Sequence, residues 1–304
     1  MSSRTGIRRQ AVLDIGSNSV RLEVADVSKD GIERVYHEKI TSRLIEGMEN
    51  GVLSDAAVAR TQRAIRAFAD DARARGAEHV YAFGTSALRD GENRAAIIDD
   101  ARAYGIRFRL LSPEDEAILA FDSVKKDGAR GVIDIGGGST EIVTGVNGVV
   151  ASVFSARLGA VRLFDMTSGS RNRDYLLYTA KRILEEPCRD ARALGDAEWT
   201  AEGGTSTALG CVLMGLPKYD PFRAEGYRIE RSRLSDALDR FCALSPVKIK
   251  AIEGMEEKRA DIIHCGAAIL LCAMELLGAE RVAVSSHDNM ISFLNGHIRK
   301  SLFG

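Results

Sequence analysis

Two octets, 120 residues apart, constrain this 304-residue chain more than any other feature. Val12-Leu-Asp-Ile-Gly-Ser-Asn-Ser19 and Val132-Ile-Asp-Ile-Gly-Gly-Gly-Ser139 share the valine, aspartate, isoleucine, glycine and final serine. In each, an apolar strand delivers an aspartate into a turn of small residues, and another apparent strand follows. Such turns aim backbone N–H groups at one space, and their hydroxyls add donors without bulk, which makes an anion cradle. One octet alone also reads as a strand ending in a tight turn. Two imply related halves facing each other across a cleft. Neither contains the Gly-Lys-Ser/Thr of a P-loop, so this is a different phosphate-binding device. An aspartate beside an anion cradle is repelled unless a cation intervenes. Asp14 and Asp134 therefore argue for Mg²⁺, a hard ion that prefers oxygen ligands.

The pattern around the octets is α/β with mixed sheets, in two cycles. Strands are predicted over Ala11–Gly16 and Val20–Val27, with a third from Ile32 after the Lys29-Asp30-Gly31 turn. Ser54 caps a helix carrying Val58, Ile65 and Phe68, which stops at Gly76. A strand over His79–Phe83, a helix beginning near Asp90 and a strand over Ile106–Leu111 follow. Ser112-Pro113-Glu114-Asp115 is a helix start, with proline at the first helical position, and the helix is expected to run to about Val124. Lys125 to Gly131 reads as a connection. Strands then cover Gly131–Gly136, Glu141–Val146 and Val149–Phe154. A short strand over Trp199–Glu202 leads into Gly203-Gly204-Thr205, which opens a helix. Its N–H groups suit a further phosphate or a nucleotide, although a plain strand-to-helix turn reads the same. A helix over about Glu256–Leu277 is apolar almost all round from Gly266 and reads as buried.

Bulk properties exclude several classes. Apolar residues make up 45% and charged residues 28%, which sets aside disordered and fibrous chains. A net charge of −1 does not suit a general nucleic-acid binder. No apolar run is long enough to span a bilayer, and no signal-peptide core forms, so a cytoplasmic protein with no membrane partner is expected. The five cysteines include no Cys-x-x-Cys pair, as in a reducing compartment. His37, His79, His264, His287 and His297 show no metal-ligand spacing, and His264 reads as a satisfied core residue.

Further motifs lie between and beyond the octets: Thr85-Ser-Ala-Leu-Arg-Asp90, Glu114-Asp-Glu-Ala117, Asp134-Ile-Gly-Gly-Gly-Ser-Thr-Glu141, Leu158-Gly-Ala-Val-Arg162, Gly203-Gly-Thr205, Tyr219-Asp-Pro221 and Arg259-Ala-Asp-Ile-Ile263. Together they resemble the exopolyphosphatase and guanosine pentaphosphate phosphohydrolase (Ppx/GppA) family, in its short two-domain form, over nearly the whole chain. That family belongs to the superfamily of actin, sugar kinases and heat-shock chaperones. The resemblance implies two ribonuclease-H-like domains around a central cleft. The first spans residues 1–116 plus a C-terminal helix at about 289–304, and the second spans 117–288.

By motif, the resemblance makes Glu116 the catalytic base and Arg89 a cleft arginine on phosphate oxygens. On the residues alone, Glu116 is a solvated member of an acidic first turn that suits the helix dipole, and Arg89 is equally a surface arginine. Asp134 and Glu141 become the acidic pair for metal and water, with Asp14 completing the metal set. Gly136, Gly137, Gly138, Ser139 and Thr140 would hold phosphate from the second loop, and Ser17, Asn18 and Ser19 from the first. Gly203, Gly204 and Thr205 would add a third contact. The implied cofactor is Mg²⁺, with Mn²⁺ as an alternative, and a homodimer is implied by the resemblance alone. The expected activity is hydrolysis of terminal phosphate from inorganic polyphosphate. Guanosine pentaphosphate is the alternative substrate. From other classes, a kinase of the same superfamily or a guanosine tetraphosphate-binding regulator remains. Two departures stand out. Ser112-Pro-Glu-Asp-Glu-Ala117 replaces the commoner Ser-Gly-Glu-Glu-Glu-Ala, and Ser286-His-Asp-Asn-Met-Ile291 replaces Gly-Leu-Arg-Glu-Gly.

Overall fold

Strands precede helices twice along the chain, and each cycle builds its own sheet. The computed structural model describes residues 6–122, 127–192, 197–286 and 289–299, with only the backbone of His297 and Arg299. It divides into two units, residues 1–112 with 289–304, and residues 113–288.

In the first unit, β1 (Arg8–Ile15), β2 (Ser19–Val27) and β3 (Ile32–Thr41) form an antiparallel meander. Helix α1 (Asp55–Ala74) then crosses to β4 (His79–Gly84), which pairs parallel with β1. Two short helices, α2 (Ser86–Asp90) and α3 (Ala95–Ala103), lead to β5 (Arg107–Leu110). The sheet order is β3-β2-β1-β4-β5. β1 lies in the middle because Ala11 to Ile15 are apolar or buried throughout. β3 alternates exposed and half-buried residues and takes the edge. Ser54 accepts from Ala57 N and caps α1, as its position before the periodic run predicts.

The second unit opens with α4 (Pro113–Asp122) and repeats the plan with β6 (Ala129–Ile135), β7 (Thr140–Val146) and β8 (Val149–Ala156). Helices α5 (Ala160–Met166) and α6 (Arg173–Arg192) lead to β9 (Glu198–Glu202), parallel to β6. Then come α7 (Gly203–Met214), β10 (Arg228–Glu230), α8 (Arg231–Ala243), α9 (Pro246–Lys250), α10 (Ile263–Leu277) and β11 (Arg281–Val284). The sheet order is β10-β11-β9-β6-β7-β8. Read from the meander outward, both sheets run third, second, first, fourth strand, which is the ribonuclease-H-like order. The expected α/β class is therefore observed. Helix α11 (Asn289–Phe293), continued by a π-helical stretch Leu294–Arg299, belongs to the first unit, where Phe293 packs on Phe83.

Packing explains why the motif-bearing ends of these strands hold still. Trp199 of β9 lies where Gly131 of β6 has no side chain. Phe121 of α4 sits against Gly145 of β7 and is buried with Ala117, Ala120, Val132 and Val143. Burial of a phenylalanine stabilises by about 2 kcal/mol, and here it fixes the helix that carries Glu116. Helix α10 is buried almost all round, and Gly266 lets Thr205 of α7 approach it closely.

Three expectations change. The sequence ends the first unit at residue 116, but α4 starts at Pro113 and packs on the second sheet, so the boundary follows Ser112. A helix near Asp90 ends there and restarts at Ala95, because the Asn93 amide bonds both the N–H and the carbonyl of Leu53 and breaks the run. The helix expected from Glu256 begins at Ile263. Residues Glu257–Arg259 form a 3₁₀ turn that brings the Arg259 side chain inward. Val124, Lys125, His287 and Asp288 lie outside the described residues.

Candidate active site

The two octets fold into the same turn. Gly16 N–H donates to Ser19 O at 3.0 Å, and Gly136 N–H donates to Ser139 O at 3.0 Å. In the first loop, Ser17 O and Asn18 O accept from the N–H groups of Ile45 (3.1 Å) and Arg43 (2.9 Å). Ser17 Oγ meets Ser86 Oγ at 2.9 Å, so its hydroxyl is already engaged. Arg89, at the end of α2, donates to Leu111 O at 3.2 Å. These groups, with Asp14, belong to the first unit.

The repeats diverge across the hairpin. Asp14 stands directly opposite Arg21 in the β1–β2 register, and Asp134 directly opposite Glu141 in the β6–β7 register. Arg21 forms an ion pair with Asp14, its Nε 2.9 Å from Oδ2. Asp14 is therefore neutralised by its neighbour and joins no acidic cluster among the described residues. Its second oxygen, Oδ1, is buried without a hydrogen bond among the described residues.

Opposite charges in one repeat become like charges in the other. Carboxylate oxygens of Glu116, Asp134 and Glu141 lie within 4.8 Å of one another. At that spacing, two unit charges repel by about 3 kcal/mol at an effective dielectric of about 20. Glu116 is 7% exposed, which rules out a solvated helix residue, whereas Glu114 on the same turn is exposed. Glu141 is 1% exposed, and its pKa is raised well above the usual carboxylate range. Burial is the main cause, followed by the charges of Glu116 and Asp134. Hydrogen bonds from Ser155 and Ser139 act in the opposite direction. The Ser155 bond, Oγ to Oε1, measures 2.8 Å. Three oxygen donors that repel one another form a set suited to a hard divalent cation.

The second loop borders this trio. The Gly137, Gly138 and Ser139 N–H groups have no hydrogen-bond partner among the described residues. Thr140 departs from expectation. Its hydroxyl is buried and donates to Leu158 O at 2.5 Å, so it supports the loop from behind instead of facing an anion.

The third motif abuts the same place. Gly203 has φ +85°, and a Cβ there would stand 2.8 Å from Asp134 Oδ1. Glycine is required on both counts. At Gly204 a Cβ would collide with the Arg259 guanidinium, which is buried and paired through Nε to Glu256 at 3.1 Å. The Thr205 side chain is fully buried against Gly266. Sequence reasoning assigned no role to Ser155, Glu202 or Arg259. Glu202 is 2% exposed and pairs in register with Asp134. The Arg259 motif is visible in the sequence, but its contact with Gly204 is not.

A model of the Ppx/GppA phosphatase family matches residues 23–287. Exopolyphosphatase 2 of Mycobacterium tuberculosis is 32% identical, over 93% of this chain and 96% of its own length. The guanosine-5'-triphosphate,3'-diphosphate pyrophosphatase of Aeromonas hydrophila is 27% identical, over 90% of this chain and 56% of its own length. Among solved structures, an exopolyphosphatase from Cytophaga hutchinsonii superposes with a TM-score of 0.86 at 22% identity, covering 96% of this chain and 98% of that one. The Aquifex aeolicus Ppx/GppA family member gives 0.79 at 24% identity, covering 97% and 99%. These two structures share the fold.

Proposed function

The chain belongs to the Ppx/GppA phosphatase family, and from that premise we propose that it is an exopolyphosphatase, which hydrolyses the terminal phosphoanhydride bond of inorganic polyphosphate. The single observation that carries the reading is the carboxylate trio Glu116, Asp134 and Glu141 beside a loop whose N–H groups have no partner among the described residues. Carboxylates and an anion cradle are incompatible neighbours unless a cation joins them, and phosphate with a divalent ion meets that requirement.

Asp134 and Glu141 would hold one Mg²⁺ or Mn²⁺ ion, which when bound would withdraw charge from the phosphate oxygens, and Glu116 beside them would face the water. The N–H groups of Gly137, Gly138 and Ser139 bind the terminal phosphate. As water oxygen bonds to phosphorus and the bridging P–O bond breaks, Glu116 accepts the water proton at a carboxylate oxygen. Its buried place on the helix turn fixes where that water must stand, and placement supplies much of the effect. Gly203 and Gly204, with Arg259 alongside, offer N–H groups and a buried cation to a further phosphate. Ser17, Asn18, Ser19 and Arg89 form a comparable anion cradle on the first unit.

Polyphosphate is preferred over guanosine pentaphosphate because the exopolyphosphatase relative is both more identical and matched over nearly its whole length. A kinase would have to exclude water, and the buried base Glu116 argues against that. A binding-only regulator would have no use for the repelling trio. The test offers long-chain polyphosphate, guanosine pentaphosphate and ATP separately with Mg²⁺ and measures phosphate release. Release from polyphosphate fastest of the three is expected, and release from guanosine pentaphosphate alone would overturn the substrate.

A further inference from the structure

The Leu158-Gly-Ala-Val-Arg162 motif holds the second loop by its carbonyls. Every carbonyl of the glycine run is engaged by it. Ala160 N–H donates to Gly136 O at 3.0 Å, and the N–H groups of Val161 and Arg162 donate to Gly137 O at 2.9 and 3.0 Å. The Arg162 side chain completes the set, with Nε donating to Gly138 O at 2.7 Å.

A trans peptide is planar, so its carbonyl and the next residue's N–H point in opposite directions. The three units whose oxygens are held backward therefore aim the N–H groups of Gly137, Gly138 and Ser139 forward. Those are the donors without partners among the described residues. Glycines cannot hold this orientation themselves, because their backbone is the least restricted of all residues. The first unit solves the same problem with backbone donors alone. There the segment after β3 supplies Arg43 N–H and Ile45 N–H to the carbonyls of Asn18 and Ser17. After β8 a side chain takes the place of one of those donors. Close approach is possible because residue 159 is glycine. A Cβ there would lie 2.5 Å from Gly137 O and Gly138 N.

We infer that Arg162 is a positioning residue, which aims the Ser139 N–H at the terminal phosphate by holding the Gly138 carbonyl, and that Gly159 makes this contact possible. The inference rests on the reading of the second loop as a phosphate cradle. Arg162 acts through the loop and not on the substrate, so its loss weakens anion binding and leaves the carboxylate trio intact.

The experiment uses the full chain with long-chain polyphosphate and Mg²⁺, and compares Arg162→Met, Arg162→Lys, Gly159→Ala and Glu116→Gln. Mn²⁺ affinity, measured with the metal alone, and thermal midpoint are recorded for each. Arg162→Met should raise KM about 10- to 100-fold, the range for losing a hydrogen bond from a charged donor. Its kcat should fall less and its Mn²⁺ affinity should stay within about twofold of wild type. Arg162→Lys keeps a donor and a charge and should recover part of the KM loss. Gly159→Ala changes no charge and should raise KM in the same way. KM unchanged in Arg162→Met, with Glu116→Gln inactive, overturns the positioning role and leaves the proposed site standing. A loss of kcat alone in Arg162→Met, with Gly159→Ala normal, also overturns it, in favour of direct contact with the reacting group. Wild-type rates in Glu116→Gln would instead remove the site reading on which the inference depends.

Discussion

Glu114 and Glu116 stand on one turn of α4 in opposite surroundings, the first exposed and the second buried among carboxylates. Glu116→Gln keeps the shape and removes the base, so the rate should fall about 10²- to 10⁴-fold. Glu114→Gln alters the same helix end, where a dipole effect is worth about 0.3–1 kcal/mol, and should stay within a few-fold of wild type. Equal rates in the two variants would unseat Glu116. Glu141 gives a prediction of opposite sign for stability. Its raised pKa means that its charge is unwelcome in the fold when no cation is present. Glu141→Gln should therefore gain about 1 kcal/mol or more in chelator at neutral pH, roughly 2–4 °C in melting temperature, while losing phosphate release. A lower melting temperature than wild type in EDTA would refute the repulsion account. The identity of these charges is legible in the sequence, because the alignment that pairs Asp14 with Asp134 also pairs Arg21 with Glu141. What pattern alone does not carry is that residues seven apart face each other directly across the hairpin. Without that register, the ion pair of Asp14 with Arg21 stays hidden.

Helix α7 shows at the scale of an element why position matters more than residue type. It begins at Gly203 and ends at Gly215, both with positive φ. Alanine at either end meets the same backbone strain, about 1 kcal/mol. Nothing lies within 4 Å of a Cβ at Gly215, whereas at Gly203 it meets Asp134 Oδ1 and Ile135 O. Gly215→Ala should thus lose stability and keep its activity. Gly203→Ala should lose both, because Asp134 must move. Phosphate release and denaturant midpoints measured side by side decide this, and an active Gly203→Ala enzyme would separate the third motif from the carboxylates. Elements with strong local signals were legible within a residue or two. The meander after each octet follows from alternating burial, and α1 from its Ser54 cap and apolar stripe. Local pattern misleads where a distant contact overrides propensity. Asn93 breaks the helix after Asp90 by bonding Leu53, forty residues away. Arg259 turns inward onto Gly204 and leaves a 3₁₀ turn where helical spacing continues.

For the whole molecule, duplication was the legible feature and the division of labour between the copies was not. The first four strands of both sheets share one order, but among the described residues only the second unit gathers like charges and buries a helix as apolar as α10. Within α10 lies a residue that couples this core to pH. His264 is fully buried, neither ring nitrogen makes a hydrogen bond of normal geometry among the described residues, and its ring packs edge-on to Phe164 at 6.1 Å. The sequence expected a satisfied core histidine; burial is confirmed and satisfaction is not. Burial, then the charge of Arg171, pushes its pKa down to about 4, against the partial support of the Ser170 backbone and Asp261. The folded state thus holds His264 neutral where the unfolded chain, with a pKa near 6.5, takes up a proton. Between those values the unfolded state binds more protons, so stability falls as pH drops. The full window of about 2.5 pH units corresponds to about 3 kcal/mol, with about 2 kcal/mol lost by pH 4.5. Above about pH 7.5 the contribution is flat. Glu141 acts with the opposite sign, since protonation relieves its repulsion, so the wild-type curve alone is ambiguous. The comparison with His264→Leu removes that ambiguity, because Glu141 is common to both proteins. Chemical denaturation at pH 7 and pH 4.5 should show the wild type losing about 2 kcal/mol more than the variant across that interval. Equal losses would mean that His264 finds a proton-accepting partner in the fold and that acid reaches the second unit by another route.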